Sequence, residues 1–168
     1  MIPVISVVGR SNSGKTTYLE KLITELKCHG VRVAVIKHHH CDFDMDKPGK
    51  DTWRHAQAGA ETVCLVSPHK VAMIKKTDQE LPLDQVAGYI DNVDIIFTEG
   101  YKQESKPKIE VYRQASGNEP LGVKPELLAV VSDTMLYEDV PHFRLDDPAA
   151  MAGFLEINVL NWKQQRND

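Results

Sequence analysis

Gly9-Arg10-Ser11-Asn12-Ser13-Gly14-Lys15-Thr16 fits the phosphate-cradle pattern G-x-x-x-x-G-K-[ST] at every fixed position. The residue types state the chemistry. Gly9 and Gly14 permit backbone angles and close approaches that a Cβ would forbid. The N–H groups of Ser11, Asn12 and Ser13, with those that open a following helix at Thr16 and Thr17, converge on one point, where the helix dipole adds positive potential. Lys15 sets a cation against β- and γ-phosphates, and the Thr16 hydroxyl is a ligand for Mg²⁺. The bland alternative is a glycine-containing turn with a surface lysine. A chance match to the pattern arises roughly once in a few hundred chains of this length, given ordinary glycine usage.

Other residues that could do chemistry lie further along. Glu99 ends an apolar run downstream of the phosphate loop, where such a site holds the acid that organises Mg²⁺ and its water. It is the candidate catalytic and metal-site carboxylate. The alternative is a strand-end acid that shapes a turn. Asp94 begins the same run, at the wrong end for the site, and reads as structural. His38-His39-His40-Cys41-Asp42 opens a long polar loop. Its spacing lacks the i, i+4 or C-x₂-C form of a closed transition-metal site. A switch-like loop is preferred, with Asp42 beside Mg²⁺; a merely solvated loop is the alternative. Asp133 ends another apolar run and could accept from the donors of guanine, although the guanine-reading N-K-x-D tetrapeptide is absent.

These groups need a frame that gathers strand ends on one rim. Pro3–Val8 is short and β-branched, a buried strand. Leu19, Leu22, Ile23 and Leu26 share one helical face, and Gly30 follows as a stop. Val31–Ile36 closes a strand–helix–strand unit. Asp51–Ala60 reads as a short helix, and Thr62–Val66 with Lys70–Lys75 as a hairpin across Ser67-Pro68-His69, so the sheet is expected to be mixed. Leu83–Ile90 reads as a helix, Val93–Thr98 as a buried strand, Lys108–Arg113 as a half-buried strand and Leu128–Asp133 as a buried one. Ala115–Pro125 reads as loop, His142–Leu145 as a short strand, and Asp147-Pro148 as the start of a last helix. The tail from Asn161 is polar. Strands alternating with helices make a doubly wound α/β domain with a mostly parallel sheet.

The 168 residues suit one nucleotide-binding domain spanning 1–168. Hydrophobic content of 42% and charged content of 26% are those of a soluble globular protein. A net charge of −4, without a basic run, gives no reason to expect nucleic acid. No apolar stretch approaches membrane-spanning length. Cys28, Cys41 and Cys64 are widely separated, neither a disulfide framework nor a thiolate zinc site, so a reducing cytoplasm is the expected compartment.

Gly9–Thr17, Lys37-His38-His39-His40-Cys41-Asp42-Phe43, Asp46–Thr52 with Ala58-Gly59-Ala60, Thr98–Lys102 and Val130–Asp133 occur in an order that resembles the molybdopterin-guanine dinucleotide biosynthesis adaptor family, MobB. The likeness covers the chain to about residue 135. Cys41 stands where that pattern often has another polar residue. The resemblance implies a three-layer α/β domain of the P-loop NTPase type, GTP bound with Mg²⁺, at most slow hydrolysis and a homodimer. It also implies a helper role beside the guanylyltransferase MobA and other molybdenum cofactor proteins. Two other readings of the residues stay open. A small-molecule kinase would use the same loop but needs an arginine-bearing lid, and Arg10, Arg54 and Arg113 are scattered. A metallochaperone GTPase would use the histidine run.

Overall fold

The computed structural model describes residues 1–122 and 125–161. Part of the Ala115–Pro125 loop and most of the polar tail lie outside the described residues. The described chain forms two compact units. One comprises Met1–His38 with Val86–Asp168, the other His39–Gln85.

The first unit holds a six-stranded sheet. Its strands are β1 (Val4–Val8), β2 (Val33–Lys37), β5 (Ile95–Glu99), β6 (Lys108–Val111), β7 (Leu127–Val131) and β8 (His142–Phe143), in the order β2-β5-β1-β6-β7-β8. Every described pairing in it is parallel. The carboxyl ends of all six strands therefore lie along one rim, where ligands of open α/β sheets bind.

Helix α1 (Lys15–Cys28) follows β1. Its apolar positions recur at helical spacing, and Tyr18, Leu19, Leu22 and Leu26 are buried. The last turn ends on Gly30 in the left-handed region, with the Gly30 and Val31 N–H groups donating to the carbonyls of Lys27 and Leu26. Helix α4 (Pro148–Asn158) packs against α1 and buries Met151, Ala152 and Leu155. Pro148 occupies its first turn, and the Asp147 carboxylate caps it by accepting from the Ala150 N–H at 3.1 Å. The two helices cover one sheet face, made by Ile5, Val7, Ile95, Phe97, Ile109, Val111, Ala129 and Val131.

The other sheet face is buried too, and it is more polar. Thr98 donates to the Ser6 hydroxyl at 2.9 Å. Here the structure corrects the expectation for Lys108–Arg113. The strand stops at Val111, and all four of its residues are buried, Lys108 and Glu110 included. Alternation of charged and apolar residues suggested one wet face. Instead the Lys108 ammonium donates to the carbonyl of Glu104 at 2.6 Å and pairs with Glu126 at 3.6 Å. The Glu110 carboxylate accepts from the Leu121 N–H and from the Tyr137 hydroxyl. Local partners replace water, and burial becomes tolerable.

The second unit holds α2 (Asp51–Gln57) and the hairpin of β3 (Thr62–Ser67) and β4 (Lys70–Lys75), joined across Pro68-His69 as expected. The hairpin was expected to make the sheet mixed; instead it forms its own two-stranded antiparallel sheet, and among the described residues antiparallel pairing is confined to it. The loop before α2 is fixed by Asp46, whose Oδ1 accepts from the Thr52 hydroxyl at 3.0 Å and the Lys47 N–H at 2.8 Å. The short helix α3 (Leu83–Ala87) ends three residues before the expected Ile90. Among the described residues no helix is long and apolar enough to cross a membrane.

Candidate functional site

The loop from Gly9 to Gly14 joins β1 to α1 at the sheet's carboxyl rim. Its geometry explains its glycines. Gly9 has φ of +156°, and a Cβ there would lie 2.4 Å from the Val111 carbonyl oxygen and 2.7 Å from the Ser13 hydroxyl. Gly14 has φ of +89° and serves as the helix N-cap, its carbonyl accepting from the Tyr18 N–H at 2.9 Å. Asn12 also takes a positive φ of 62°. The first turn of α1 carries Lys15, Thr16 and Thr17 and no acid, so no carboxylate competes for the helix's positive end. Ser11 is exposed, and its carbonyl accepts from the Asn118 side-chain amide at 3.1 Å. The Ser13 hydroxyl is buried with no hydrogen-bond partner among the described residues. A phosphate oxygen is the kind of acceptor that would satisfy it.

Lys15 is half-buried and donates to the Arg10 carbonyl at 2.9 Å. Burial pushes its pKa below the ordinary lysine value; Glu99 opposes the shift, while Lys102 and Lys37 add to it. The ammonium is thus short of counter-charge.

Glu99 ends β5, and strand order brings it to the loop. β5 lies beside β1 with Glu99 opposite Val7. The Thr16 hydroxyl donates to Glu99 Oε1 at 2.8 Å, across 83 residues of sequence. Hydroxyl and carboxylate oxygens are hard donors suited to Mg²⁺. A hydroxyl and a carboxylate in contact are a donor set that fits the ion expected from the sequence. Asp94, at the far end of β5, is tied to Arg32 through two side-chain hydrogen bonds, 2.8 and 3.1 Å long. That guanidinium holds the Asp94 carboxyl below its ordinary range. Asp94 is structural, as expected.

Asp133 follows β7 on the same rim and is exposed. Its Oδ1 accepts from the Gln114 N–H at 2.8 Å, fixing the 3₁₀ turn Gln114–Ser116 that follows β6. Asp133 shares a cleft of about 710 Å³ with Ser13, Gly14, Thr17, Tyr18 and Arg113. The structure therefore brings the loop, Glu99 and Asp133 to one rim of the first unit. Asp42 is placed differently: it is exposed and belongs to the second unit.

His38 closes β2's exit. Its N–H donates to the Glu99 carbonyl at 3.0 Å, and its ring stacks on Tyr101 with centroids 4.5 Å apart. Gly100, with φ of +110°, passes so near that a Cβ would sit 3.0 Å from His38 Cβ. His39 bonds within its own loop, to the Cys41 carbonyl at 2.9 Å. Among the described residues no group of three or more His, Cys, Asp and Glu side chains is arranged to hold a metal ion.

Sequence reasoning missed Lys37, which ends β2 opposite Glu99 and places its ammonium 3.7 Å from Glu99 Oε2. Its position at the end of an apolar run was the available signal. The pairing itself depends on β2 lying beside β5, which is not visible in the sequence.

A phosphate loop between a central strand and the first helix, with an acid on the adjacent parallel strand, defines an α/β fold of the P-loop NTPase type. The family described as MobB, molybdopterin guanine dinucleotide synthesis protein B, matches residues 4–133. A molybdopterin-guanine dinucleotide biosynthesis adapter protein of Escherichia coli K12 is 37% identical over 173 aligned positions, covering 99% of this chain and 97% of its own. The adapter protein of Haemophilus influenzae is also 37% identical, covering 96% of this chain and 89% of its own. A crystal structure of molybdopterin-guanine biosynthesis protein B superposes with a TM-score of 0.76 at 30% identity, covering 94% of this chain and 99% of its own. The chain belongs to the MobB family of molybdopterin-guanine dinucleotide biosynthesis adapter proteins.

Proposed function

We propose that this chain, as one nucleotide-binding domain over residues 1–168, binds GTP with Mg²⁺ in the cytoplasm and assists the guanylyltransferase MobA in making molybdopterin guanine dinucleotide. The observation that carries the nucleotide reading is the 2.8 Å hydrogen bond from Thr16 to Glu99 at the head of α1. It joins the expected metal ligand to the expected acid across distant sequence. On this reading the loop N–H groups and Lys15 hold the phosphates. Thr16 holds the ion, and Glu99 orients its water. One candidate acid beside the ion gives at most slow hydrolysis, which suits an adapter. Guanine would enter the cleft beside Asp133, whose second carboxylate oxygen is the acceptor for the base's N1 and N2 donors.

Calorimetric titration with GTP and ATP, with and without Mg²⁺ and MobA, tests this. The expected result is Mg²⁺-dependent binding with GTP at least about tenfold tighter than ATP, a difference of about 1.4 kcal/mol, together with a ternary complex. Equal binding of both nucleotides and no contact with MobA would remove the adapter mechanism and leave a generic phosphate site.

The homodimer has a surface to use. Leu65, Val66, Val71, Met73 and Ile74 on the hairpin are all exposed. A two-stranded hairpin is marginal alone and gains stability from added strands or a covered face. Its outer edges carry the unpaired backbone groups that a second copy could match. Val66 and Met73 lie on one face of the hairpin, given the pairings Val66 with Val71 and Cys64 with Met73. Changing both to aspartate is expected to convert a dimer into a monomer by light scattering, with helix and sheet content retained. A variant that keeps the wild-type mass would place the dimer contact elsewhere.

A further inference from the structure

We propose that Lys37 is a specificity-determining residue that distinguishes nucleoside triphosphate from diphosphate. In the free protein its ammonium rests on Glu99; with a triphosphate bound it transfers to the terminal phosphate. This rests on the nucleotide reading of the same loop.

Placement comes first. β2 and β5 are parallel, with Lys37 opposite Glu99 and Glu99 opposite Val7. Register partners in neighbouring strands project to the same face. Val7 belongs to the core under α1. Lys37 and Glu99 therefore lie on the α1 side of the sheet, where Thr16 begins the helix. The Glu99 carboxylate joins two partners: Oε1 accepts from the Thr16 hydroxyl at 2.8 Å, and Oε2 lies 3.7 Å from the Lys37 ammonium. Lys37 is thus one carboxylate away from the hydroxyl expected to hold Mg²⁺ beside the phosphates.

Charge gives the reason to move. Lys37 pairs with Glu99 at 3.7 Å, and Lys15 stands in the first turn of α1 beside Thr16, whose hydroxyl donates to the same carboxylate. The cluster carries more positive charge than its one carboxylate neutralises, the imbalance an anion would correct. The Lys37–Glu99 pair is easily exchanged: its distance is long, and the lysine side chain is 61% exposed. Exposed pairs of this kind contribute about 0–1 kcal/mol. A cation bound at Thr16 and Glu99 would repel the neighbouring ammonium, and the γ-phosphate offers it a doubly ionised partner. A diphosphate lacks that group, so the gain applies to the triphosphate alone.

The full chain would be titrated with GTP and with GDP, both with Mg²⁺, as wild type, Lys37→Ala, Lys37→Arg and Lys15→Ala. Lys37→Ala is expected to weaken GTP about tenfold, with a GDP change within about twofold, and Lys37→Arg to restore most of the preference. Added salt should erode the wild-type GTP-over-GDP ratio more steeply than that of Lys37→Ala, which keeps only the Lys15 contribution. Circular dichroism confirms the fold of each variant. An unchanged GTP-to-GDP ratio in Lys37→Ala overturns the proposal. So does an equal weakening of both nucleotides, which would make Lys37 a general electrostatic or structural residue. If the wild type binds neither nucleotide, the nucleotide reading fails and this inference falls with it. Wild-type binding that Lys15→Ala abolishes secures that reading whatever Lys37 does.

Discussion

Lys15→Ala is expected to lower GTP affinity by at least about a hundredfold, equivalent to about 2.7 kcal/mol, and to leave the fold intact. The expectation follows from how Lys15 is held. Its ammonium sits at the head of α1, half-buried, on a single carbonyl, that of Arg10. Burial already disfavours its charge, with Lys37 and Lys102 adding to the effect. Removing it therefore relieves a cost in the free protein while removing the cation aimed at the phosphates. Thermal unfolding of the variant should match or exceed the wild type, so lost binding would not reflect lost structure. A pH series adds a second check. The free protein's Lys15 has a lowered pKa, and bound phosphates would raise it again. GTP binding then takes up protons in the alkaline range, and affinity falls as pH rises through the pKa of the free protein. The same lowered pKa makes stability rise with pH across that range, because the unfolded lysine holds its proton longer. Lys15→Met should lose this part of both slopes. Wild-type GTP affinity in Lys15→Ala would remove the loop from the nucleotide site altogether.

Much of this site was legible because its signals are local. The glycines, lysine and threonine of the loop, the β-branched run before it and the helical spacing after it all lie within Pro3–Leu26. Glu99 was legible by position, since an acid after a buried apolar run falls on the ligand rim of a parallel sheet. Its neighbours were not. Strand order β2-β5-β1 puts Lys37 beside Glu99, and nothing in the sequence of Val33–Lys37 says which strand it pairs with. Lys108 and Glu110 misled for a related reason. Alternating charges suggested a wet face, but Glu104, Leu121 and Tyr137 supply the polar contacts from loops distant in pattern. Asp133 was visible as a strand-end acid, yet its bond to the Gln114 N–H required knowing that β6 lies beside β7. Local chemistry is written in local sequence; strand adjacency and loop satisfaction are properties of the assembled fold.

Gly9→Ala is expected to be the more damaging of the two loop-glycine substitutions. Both glycines fit the pattern, but the structure separates them. At Gly14 an added Cβ meets nothing within 4 Å, so Gly14→Ala carries only the penalty of a left-handed backbone, about 1–2 kcal/mol. At Gly9 the Cβ would approach the Val111 carbonyl to 2.4 Å. That atom belongs to the backbone at the end of β6, a strand buried throughout and paired to β1 and β7. It cannot give way as a flexible side chain would, so the loop must lift from the sheet. Overpacking of this kind, with an unfavourable φ, costs about 2–4 kcal/mol. In a domain of this length that lowers Tm by roughly 5–15 °C. The lift also displaces Ser13, whose hydroxyl lies 2.7 Å from the same Cβ position, and the N–H groups that would meet phosphate. GTP affinity should therefore fall with stability in Gly9→Ala, whereas Gly14→Ala should lose less of both. Differential scanning calorimetry and nucleotide titration of the two variants read this order directly. The reverse order, with Gly14→Ala the less stable and the weaker binder, would mean that the close approach of loop to β6 does not shape the cradle.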